Sequence, residues 1–145
     1  MSEKMTLDSK ANIRQLVRIQ SSTEKVYSAL TTQEGLAAWW TPDVVAQPKE
    51  ASVSIFKFGP SYSKEIKIEK LVPNLEVKWK CIAATEEWVG TDIRFYLRPY
   101  EKGTMLFFEH NNWRNFTEMF SQCSFDWAMF LRSLKLYCET GTGKP

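Results

Sequence analysis

Apolar residues near the C-terminus lie alternately four and three positions apart, at Phe116, Phe120, Cys123, Trp127, Phe130, Leu134 and Tyr137. This is the spacing of one face of an α-helix. Gly141 follows the last of them, where a glycine can end a helix in the left-handed conformation. The pattern therefore predicts one long helix that starts near Phe116, ends at Gly141 and carries a largely aromatic face.

Upstream, between Asp43 and Trp113, apolar and polar residues alternate instead. The clearest run is 75–81, where Leu75, Val77, Trp79 and Cys81 alternate with charged residues. Such alternation is typical of strands with one buried face. Together with the turn signals it predicts strands over 53–58, 63–72, 75–81, 89–97 and 104–110. A first strand is predicted over 12–20, although Gln15 interrupts its apolar side.

Two short helices are predicted between the first strand and the rest. Ser21 is followed three residues later by Glu24, and Thr31 by Glu34, which is the spacing of a capping box. The second helix carries Trp39 and Trp40 and is stopped by Pro42. Neighbouring helical residues point about 100° apart. The rings of Trp39 and Trp40 are therefore not expected to share one pocket.

These elements predict an α+β fold in which a curved antiparallel sheet wraps around the long C-terminal helix. One-sided alternation gives the sheet a solvated face and a dry face, and the long helix must cover the dry face. There is no internal repeat or low-complexity linker. We expect a single domain over 11–141, preceded by a loose N-terminal leader over 1–10.

Composition excludes several classes of function. A chain of 145 residues with 43% hydrophobic and 25% charged residues is typical of one globular domain. A net charge of +2, spread along the strands, gives no reason to expect nucleic-acid binding. No apolar run is long enough for a membrane span, and no signal peptide is visible. Three widely spaced cysteines, Cys81, Cys123 and Cys138, predict reduced thiols in a cytoplasmic protein.

Several stretches resemble one protein family. Residues 26–31 read Val-Tyr-Ser-Ala-Leu-Thr, and residues 34–40 read Glu-Gly-Leu-Ala-Ala-Trp-Trp. This is similar to the corresponding stretch of the activator of heat-shock protein 90 ATPase homologue family, of the START-like (SRPBCC, birch-pollen-allergen-like) superfamily. Further similarities lie at 72–79, 95–99, 103–113 and 127–141. The usual proline at the start of the first helix is missing, because Ser22 and Thr23 stand there.

The resemblance implies a helix-grip fold with a cavity between the sheet and the C-terminal helix. Members of the superfamily include lipid and hormone carriers, cyclases and chaperone regulators, so that the fold alone does not identify the function. The resemblance carries no shared catalytic motif. We expect the cavity to be lined by Trp40, Phe56, Phe58, Ile66, Ile68, Trp79, Phe95, Phe108, His110, Trp127 and Phe130. The alternative is a close-packed core without a void.

Candidate catalytic chemistry is sparse. His110 is the only histidine, and its neighbour Glu109 points to the opposite face of the strand, so that it is not a natural partner. A structural histidine is the favoured interpretation. Asp92 and Tyr96 share a strand face opposite the apolar residues, which predicts a solvated pair, although Tyr96 or His110 could supply a polar group to a pocket. No catalytic residue, metal site or cofactor is predicted.

Three functions remain open from the sequence. The first is a binding module that encloses an apolar small molecule. The second is a regulator of a chaperone ATPase, acting through its surface, for which the helix pair at 36–40 is the only apolar stretch that the sequence offers. The third is a cyclase-type enzyme that uses His110. The sequence leaves open whether the chain is a monomer or a homodimer.

Overall fold

The computed structural model describes residues 11–145, and the predicted leader over 1–10 lies outside them. The order of elements is the predicted one: a strand, two short helices, a run of strands and a long helix. The elements are β1 (Ala11–Ile19), α1 (Thr23–Thr31), α2 (Gln33–Trp39), β2 (Val44–Val45), β3 (Val53–Lys57), β4 (Ser63–Val72), β5 (Glu76–Ala83), β6 (Asp92–Tyr100), β7 (Gly103–Trp113) and α3 (Glu118–Thr140).

The strands form one curved sheet in the order β1-β7-β6-β5-β4-β3-β2, in which every neighbouring pair is antiparallel. The register shifts between Ala11 and Ile13 in β1 and at two places in β4. Such irregularities bend a strand and increase its twist. They help the sheet to curl around α3, which confirms the predicted helix-grip architecture.

The strand bounds differ from the predicted ones mainly at loops. The two-residue strand β2 was not predicted, because Val44 and Val45 are too short a run to show alternation. Val89 was placed in a strand, but it lies in the loop before β6 and its side chain is exposed. Leu75 is likewise exposed, in the turn before β5. The alternation was therefore informative inside the strands and misleading at their ends.

Both short helices begin one residue later than predicted. Ser22, and not Ser21, caps α1, since its Oγ accepts a hydrogen bond of 3.1 Å from the backbone N–H of Lys25. In the same way Thr32, and not Thr31, caps α2 by accepting from the backbone N–H of Gly35 at 3.0 Å. The one-residue shift leaves the two helices joined directly at Thr32.

The long helix α3 starts at Glu118 with Thr117 as its cap, so Phe116 precedes it and is 67% exposed. The predicted apolar face is wrong at this end. From Phe120 onward the predicted face turns inward, with Trp127 and Leu134 buried and the other predicted residues partly buried against the core. Leu131 and Cys138, which the predicted face does not include, are also buried. Gly141 ends the helix with φ of 89°, as the sequence predicts.

Polar contacts fix α3 against the rest of the fold. The side-chain amide of Gln15 donates to the backbone carbonyl of Ser124 at 3.1 Å, which explains why a polar residue interrupts the inner side of β1. The carboxylate of Glu139 accepts from the backbone N–H of Gln20 at 2.7 Å. The hydroxyl of Ser133 donates to the carbonyl of Trp39 at 2.8 Å. These bonds tie α3 to β1 and to α2.

The structure also describes the cysteines and the apolar character of the helices. All three cysteines are free thiols. Across residues 11–145, no helix combines the length and the apolar character that crossing a bilayer requires.

Candidate functional site

The space between the sheet and α3 is occupied by a cluster of aromatic rings centred on Trp40, which we call the aromatic interior. The centroid of the Trp40 ring lies within 4.6–6.0 Å of the ring centroids of Phe56, Trp127, Phe58, Trp79 and Phe130. Phe95 and Phe108 extend the cluster through Trp79 and Trp127. Ile66 and Ile68 belong to the same buried core. The structure therefore brings the predicted lining residues together.

Trp39 and Trp40 are both buried, and their rings stack at 5.8 Å with an interplanar angle of 11°. The expectation that they would not share one pocket is wrong. Trp40 is the residue that ends α2, with φ of −106° and ψ of −62° in the right-handed helical region and its backbone N–H bonded to the carbonyl of Leu36. Its ring lies on that of Trp39, while the indole N–H of Trp39 donates to the carbonyl of Ala29 at 2.8 Å.

His110 is fully buried on the inner face of β7, and both of its ring nitrogens have partners. Trp127 Nε1 lies 3.0 Å from His110 Nδ1, and Thr91 Oγ1 lies 2.8 Å from His110 Nε2. Because an indole N–H can only donate, Nδ1 must accept, and the proton of the neutral ring sits on Nε2. Thr91 Oγ1 accepts that proton's hydrogen bond and donates its own to the carbonyl of Trp88 at 2.6 Å. The ring is therefore held as a neutral structural link between α3 and the sheet.

The surroundings of His110 oppose its protonation. Burial lowers the pKa of His110 from 6.5 to about 3, and the positive charge of Lys64 acts in the same direction. A histidine that is neutral and has both nitrogens engaged is not available as a general base without breaking this network. The geometry supports the structural interpretation made from the sequence. It argues against the cyclase-type role.

A second group of residues at one end of the aromatic interior was missed from the sequence. Lys64 points inward from β4 between the rings of Phe58, Tyr62 and Trp88. The signal was present for Lys64, because it continues the inward series of Ile66 and Ile68 at a spacing of two residues. No comparable signal existed for Tyr62 and Trp88, which lie in connecting segments.

A crevice opens beside the other end of the aromatic interior. It is too narrow to hold a water molecule, and it lies between the two short helices and the strands β3 to β5. Its walls include Trp79, Ile68 and Ser54. The hydroxyl of Ser54 and the indole N–H of Trp40 are buried and have no hydrogen-bond partner within the described chain. Unpaired buried polar groups of this kind are uncommon in protein interiors.

The outer face of the sheet is charged, as the alternation predicts. Asp92 pairs with Lys80 at 3.1 Å, and Glu76 pairs with Arg94 at 2.8 Å. Tyr96 packs on Phe107 on this face, with ring centroids 6.2 Å apart. Tyr96 therefore does not reach the aromatic interior, and the suggestion that it supplies a polar group there is wrong. Within residues 11–145, no group of three or more His, Cys, Asp or Glu side chains is arranged to hold a metal ion.

Comparison with known proteins adds a family and a set of similar structures. The sequence profile of the family described as "Activator of Hsp90 ATPase homolog 1-like protein" matches residues 20–139. No curated protein sequence matches the chain. A solution structure of the Aha1 dimer from Colwellia psychrerythraea is 40% identical, with a TM-score of 0.83, over 91% of this chain and 98% of that one.

Two further solved structures are similar in fold alone. A protein from Mesorhizobium loti is 17% identical, with a TM-score of 0.78, over 86% of this chain and 93% of that one. A protein from Staphylococcus saprophyticus is 16% identical, also with a TM-score of 0.78, over 92% of this chain and 96% of that one. At these identities the similarity supports the helix-grip architecture and says nothing of ligands.

Proposed function

The chain belongs to the family of Activator of Hsp90 ATPase homolog 1-like proteins, and from that premise we propose that it is a binding protein that encloses an apolar small molecule between its sheet and α3. Three buried polar atoms lack a hydrogen-bond partner within the described chain, Trp40 Nε1, Ser54 Oγ and Trp113 Nε1, and the observation that carries this proposal is that the first two lie in the aromatic interior and at the crevice beside it. Ligand pockets combine apolar walls with a few polar groups in this way.

The two unpaired groups lower the stability of the protein when no ligand is bound. A buried hydroxyl or indole N–H without a partner loses its hydrogen bond to water, which costs about 1–3 kcal/mol. Ser54 lies at the crevice, and the stack of Trp79 on Trp40 at 5.8 Å connects the crevice to the centre of the aromatic interior. A ligand that enters by the crevice and parts these rings would gain apolar contact and supply the missing partners. The free thiols are consistent with the cytoplasmic location that we propose for such a protein.

Replacing Ser54 by valine is expected to stabilise the protein and to weaken ligand binding. The valine removes the unpaired hydroxyl, which should raise the free energy of unfolding by about 1 kcal/mol, and its extra methyl group fills part of the crevice. We expect the neutral fluorescent probe N-phenyl-1-naphthylamine to bind one site per wild-type chain and about tenfold more weakly to Ser54→Val, a difference near 1.4 kcal/mol. Urea denaturation and probe titration measure the two effects.

The matched control is Ser63→Val, which makes the same change at an exposed position on the neighbouring strand β4. This variant should change neither stability nor probe binding appreciably. Native mass spectrometry of gently purified wild-type protein tests whether a natural ligand is carried. The binding proposal is wrong if the wild-type protein carries no bound mass and the probe fails to saturate a single site.

A surface role is a second candidate, because large apolar side chains are exposed on α3 and just before its start, whereas Leu36, Trp39 and Trp40 of the helix pair at 36–40 are buried. We call this group of exposed side chains the α3 patch. It consists of Phe116, Phe125 and Met129, which are 67%, 63% and 48% exposed. We propose that a second copy of the chain covers it, since the 40% identical structure from Colwellia psychrerythraea is a dimer. An Hsp90-type chaperone, as the family description implies, is the competing occupant.

Changing Phe125 to glutamate is expected to weaken self-association at least roughly thirtyfold, the effect of losing an aromatic anchor worth about 2 kcal/mol. Light scattering after size-exclusion chromatography, over a range of protein concentrations, gives the dimer dissociation constant. Leu75→Glu is the control, because Leu75 is also exposed but lies in the turn before β5. If the wild type is monomeric and stimulates an Hsp90-type ATPase, and Phe125→Glu does not stimulate it, then the chaperone and not a second copy of the chain covers the α3 patch.

A further inference from the structure

Lys64 is a cation placed inside the aromatic end of the fold. Only 8% of its surface is exposed, although it is a lysine on the inner face of β4. Its Nζ lies 3.8 Å from the ring centroid of Trp88, 4.5 Å from that of Tyr62 and 5.4 Å from that of Phe58. Ring faces attract a cation, but such contacts replace only part of the hydration that an ammonium loses on burial.

No carboxylate lies within ion-pair distance of Lys64 among residues 11–145. The recorded ion pairs of the described chain involve other lysines and arginines, and those cations are at least one-third exposed. Lysine is seldom buried unless it is paired. The most buried cation among residues 11–145 thus has no anion as its partner.

Hydrogen-bond donors outnumber acceptors around Lys64. The ammonium has three N–H donors, and one of them is used, by the hydroxyl of Tyr62 at 2.8 Å. The same hydroxyl also accepts from the backbone N–H of Thr85 at 3.3 Å. Its own proton has no acceptor within the described chain. The two other ammonium protons of Lys64 face aromatic rings and have no oxygen or nitrogen acceptor among residues 11–145, so this end of the interior is rich in N–H and O–H donors that an anion could use.

Lys64 lies in the same interior as the crevice. In the pairing of β3 with β4, Ser54 is opposite Ile66, and Phe56 is opposite Lys64. These two pairs are neighbours on the inner face of the sheet, two residues apart along each strand. The ring of Phe56 contacts that of Trp40 at 4.6 Å. One molecule lying along these strands would thus meet Ser54, the aromatic rings and Lys64 in turn.

The charge of Lys64 also acts on its surroundings. It lowers the pKa of His110 and works against the rise that burial gives the pKa values of the Cys81 and Cys123 thiols. The positive field therefore extends over this end of the aromatic interior, where little water is available to screen it.

We propose that Lys64 and Tyr62 bind the anionic group of the ligand, which is then a flat apolar molecule that bears one carboxylate, phenolate or sulfonate. This inference rests on the proposed binding function and deepens it by naming the chemical class. The anion would accept hydrogen bonds from these two side chains, and the rings of Phe58 and Trp88 would cover the apolar part next to it. A charge-assisted hydrogen bond of this kind is about twice as strong as a neutral one.

Two probes that differ only in a sulfonate test the proposal. They are 8-anilino-1-naphthalenesulfonate and its neutral counterpart N-phenyl-1-naphthylamine. We expect the wild-type protein to bind the sulfonate about tenfold more tightly than the neutral probe. Lys64→Met should abolish this preference and leave the affinity for the neutral probe within about twofold. Tyr62→Phe, which keeps the ring and removes the donor, should lose part of the preference.

The control is Lys67→Met, which removes an exposed lysine from the opposite face of the same strand and should keep the full preference. Lys64→Met is expected to fold, because methionine fits well among aromatic rings, and its urea denaturation midpoint should equal or exceed that of the wild type. If the neutral probe binds but the sulfonate is not preferred, or Lys64→Met keeps the preference, the anion site is wrong and the binding function stands. If neither probe binds the wild type, both proposals are overturned.

Discussion

Trp127→Ala is expected to lower the free energy of unfolding by about 3–5 kcal/mol, the usual cost of removing a large buried aromatic side chain. The ring of Trp127 is fully buried and lies between α3 and the sheet, with ring centroids at 4.4 Å from Phe108 and 5.3 Å from Trp40. Its indole N–H is also the donor to His110 Nδ1. Removing it leaves a cavity and an unpaired acceptor. Urea denaturation followed by circular dichroism measures the loss.

One further variant separates the packing of Trp127 from its hydrogen bond, and a second is a control. Trp127→Phe retains much of the packing and removes the hydrogen bond, so it should cost less, about 1–3 kcal/mol. Val45→Ala changes an apolar side chain that is 60% exposed on β2, outside the α3 patch, and its effect should stay within about 0.5 kcal/mol. A loss for Trp127→Ala that is no larger than that for Val45→Ala would show that α3 does not pack on the sheet as described.

Acidification is expected to destabilise the protein through His110. The pKa of this residue is about 3 in the folded protein and 6.5 as the ordinary value, because burial disfavours the charged ring. Between these pH values the unfolded chain binds the proton that the folded chain excludes, so stability falls as the pH falls. The stabilising contribution is fully present above pH 6.5 and is lost by about pH 3. The free energy of unfolding lost through His110 is about 3 kcal/mol by pH 4.5 and about 5 kcal/mol in total.

The measurement is the free energy of unfolding from urea denaturation between pH 7.5 and 4, for the wild type and His110→Gln. Carboxylates also titrate in this range, so the difference between the two proteins isolates the histidine, which is the only one in the chain. The difference should shrink as the pH falls. Identical pH dependences would contradict the prediction. Nitrogen NMR of the wild-type ring at pH 5 offers an independent check, since the neutral form with its proton on Nε2 is expected.

The architecture was accessible from the sequence because it depends on periodicity. The buried residues Val77, Trp79 and Cys81 of β5 follow the alternation, and Gly141 marks the end of α3. The residue at which each short helix starts was harder to predict. Doublets such as Ser21-Ser22 offer two possible caps, and only the backbone geometry decides which hydroxyl reaches the free N–H groups.

The candidate site was accessible only in part, for a different physical reason. Burial of the aromatic lining follows from strand and helix periodicity, but hydrogen bonds follow from side-chain directions. The links of His110 to Trp127 and Thr91 join residues that are 17 and 19 positions apart, and periodicity does not specify them. Tyr62 and Trp88 meet Lys64 from connecting segments, whose paths depend on the completed sheet.

The six tryptophans of the chain have a shared optical consequence. Their rings form one continuous series of contacts: Trp39 with Trp40, Trp40 with Trp79 and Trp127, Trp127 with Trp88, and Trp88 with Trp113, at centroid distances of 5.3–6.2 Å. At such separations an excited indole passes its energy to a neighbour before it emits. The tryptophan fluorescence should therefore have low anisotropy even though every ring is held rigidly. A quencher beside Trp88 should lower the fluorescence intensity of all six tryptophans.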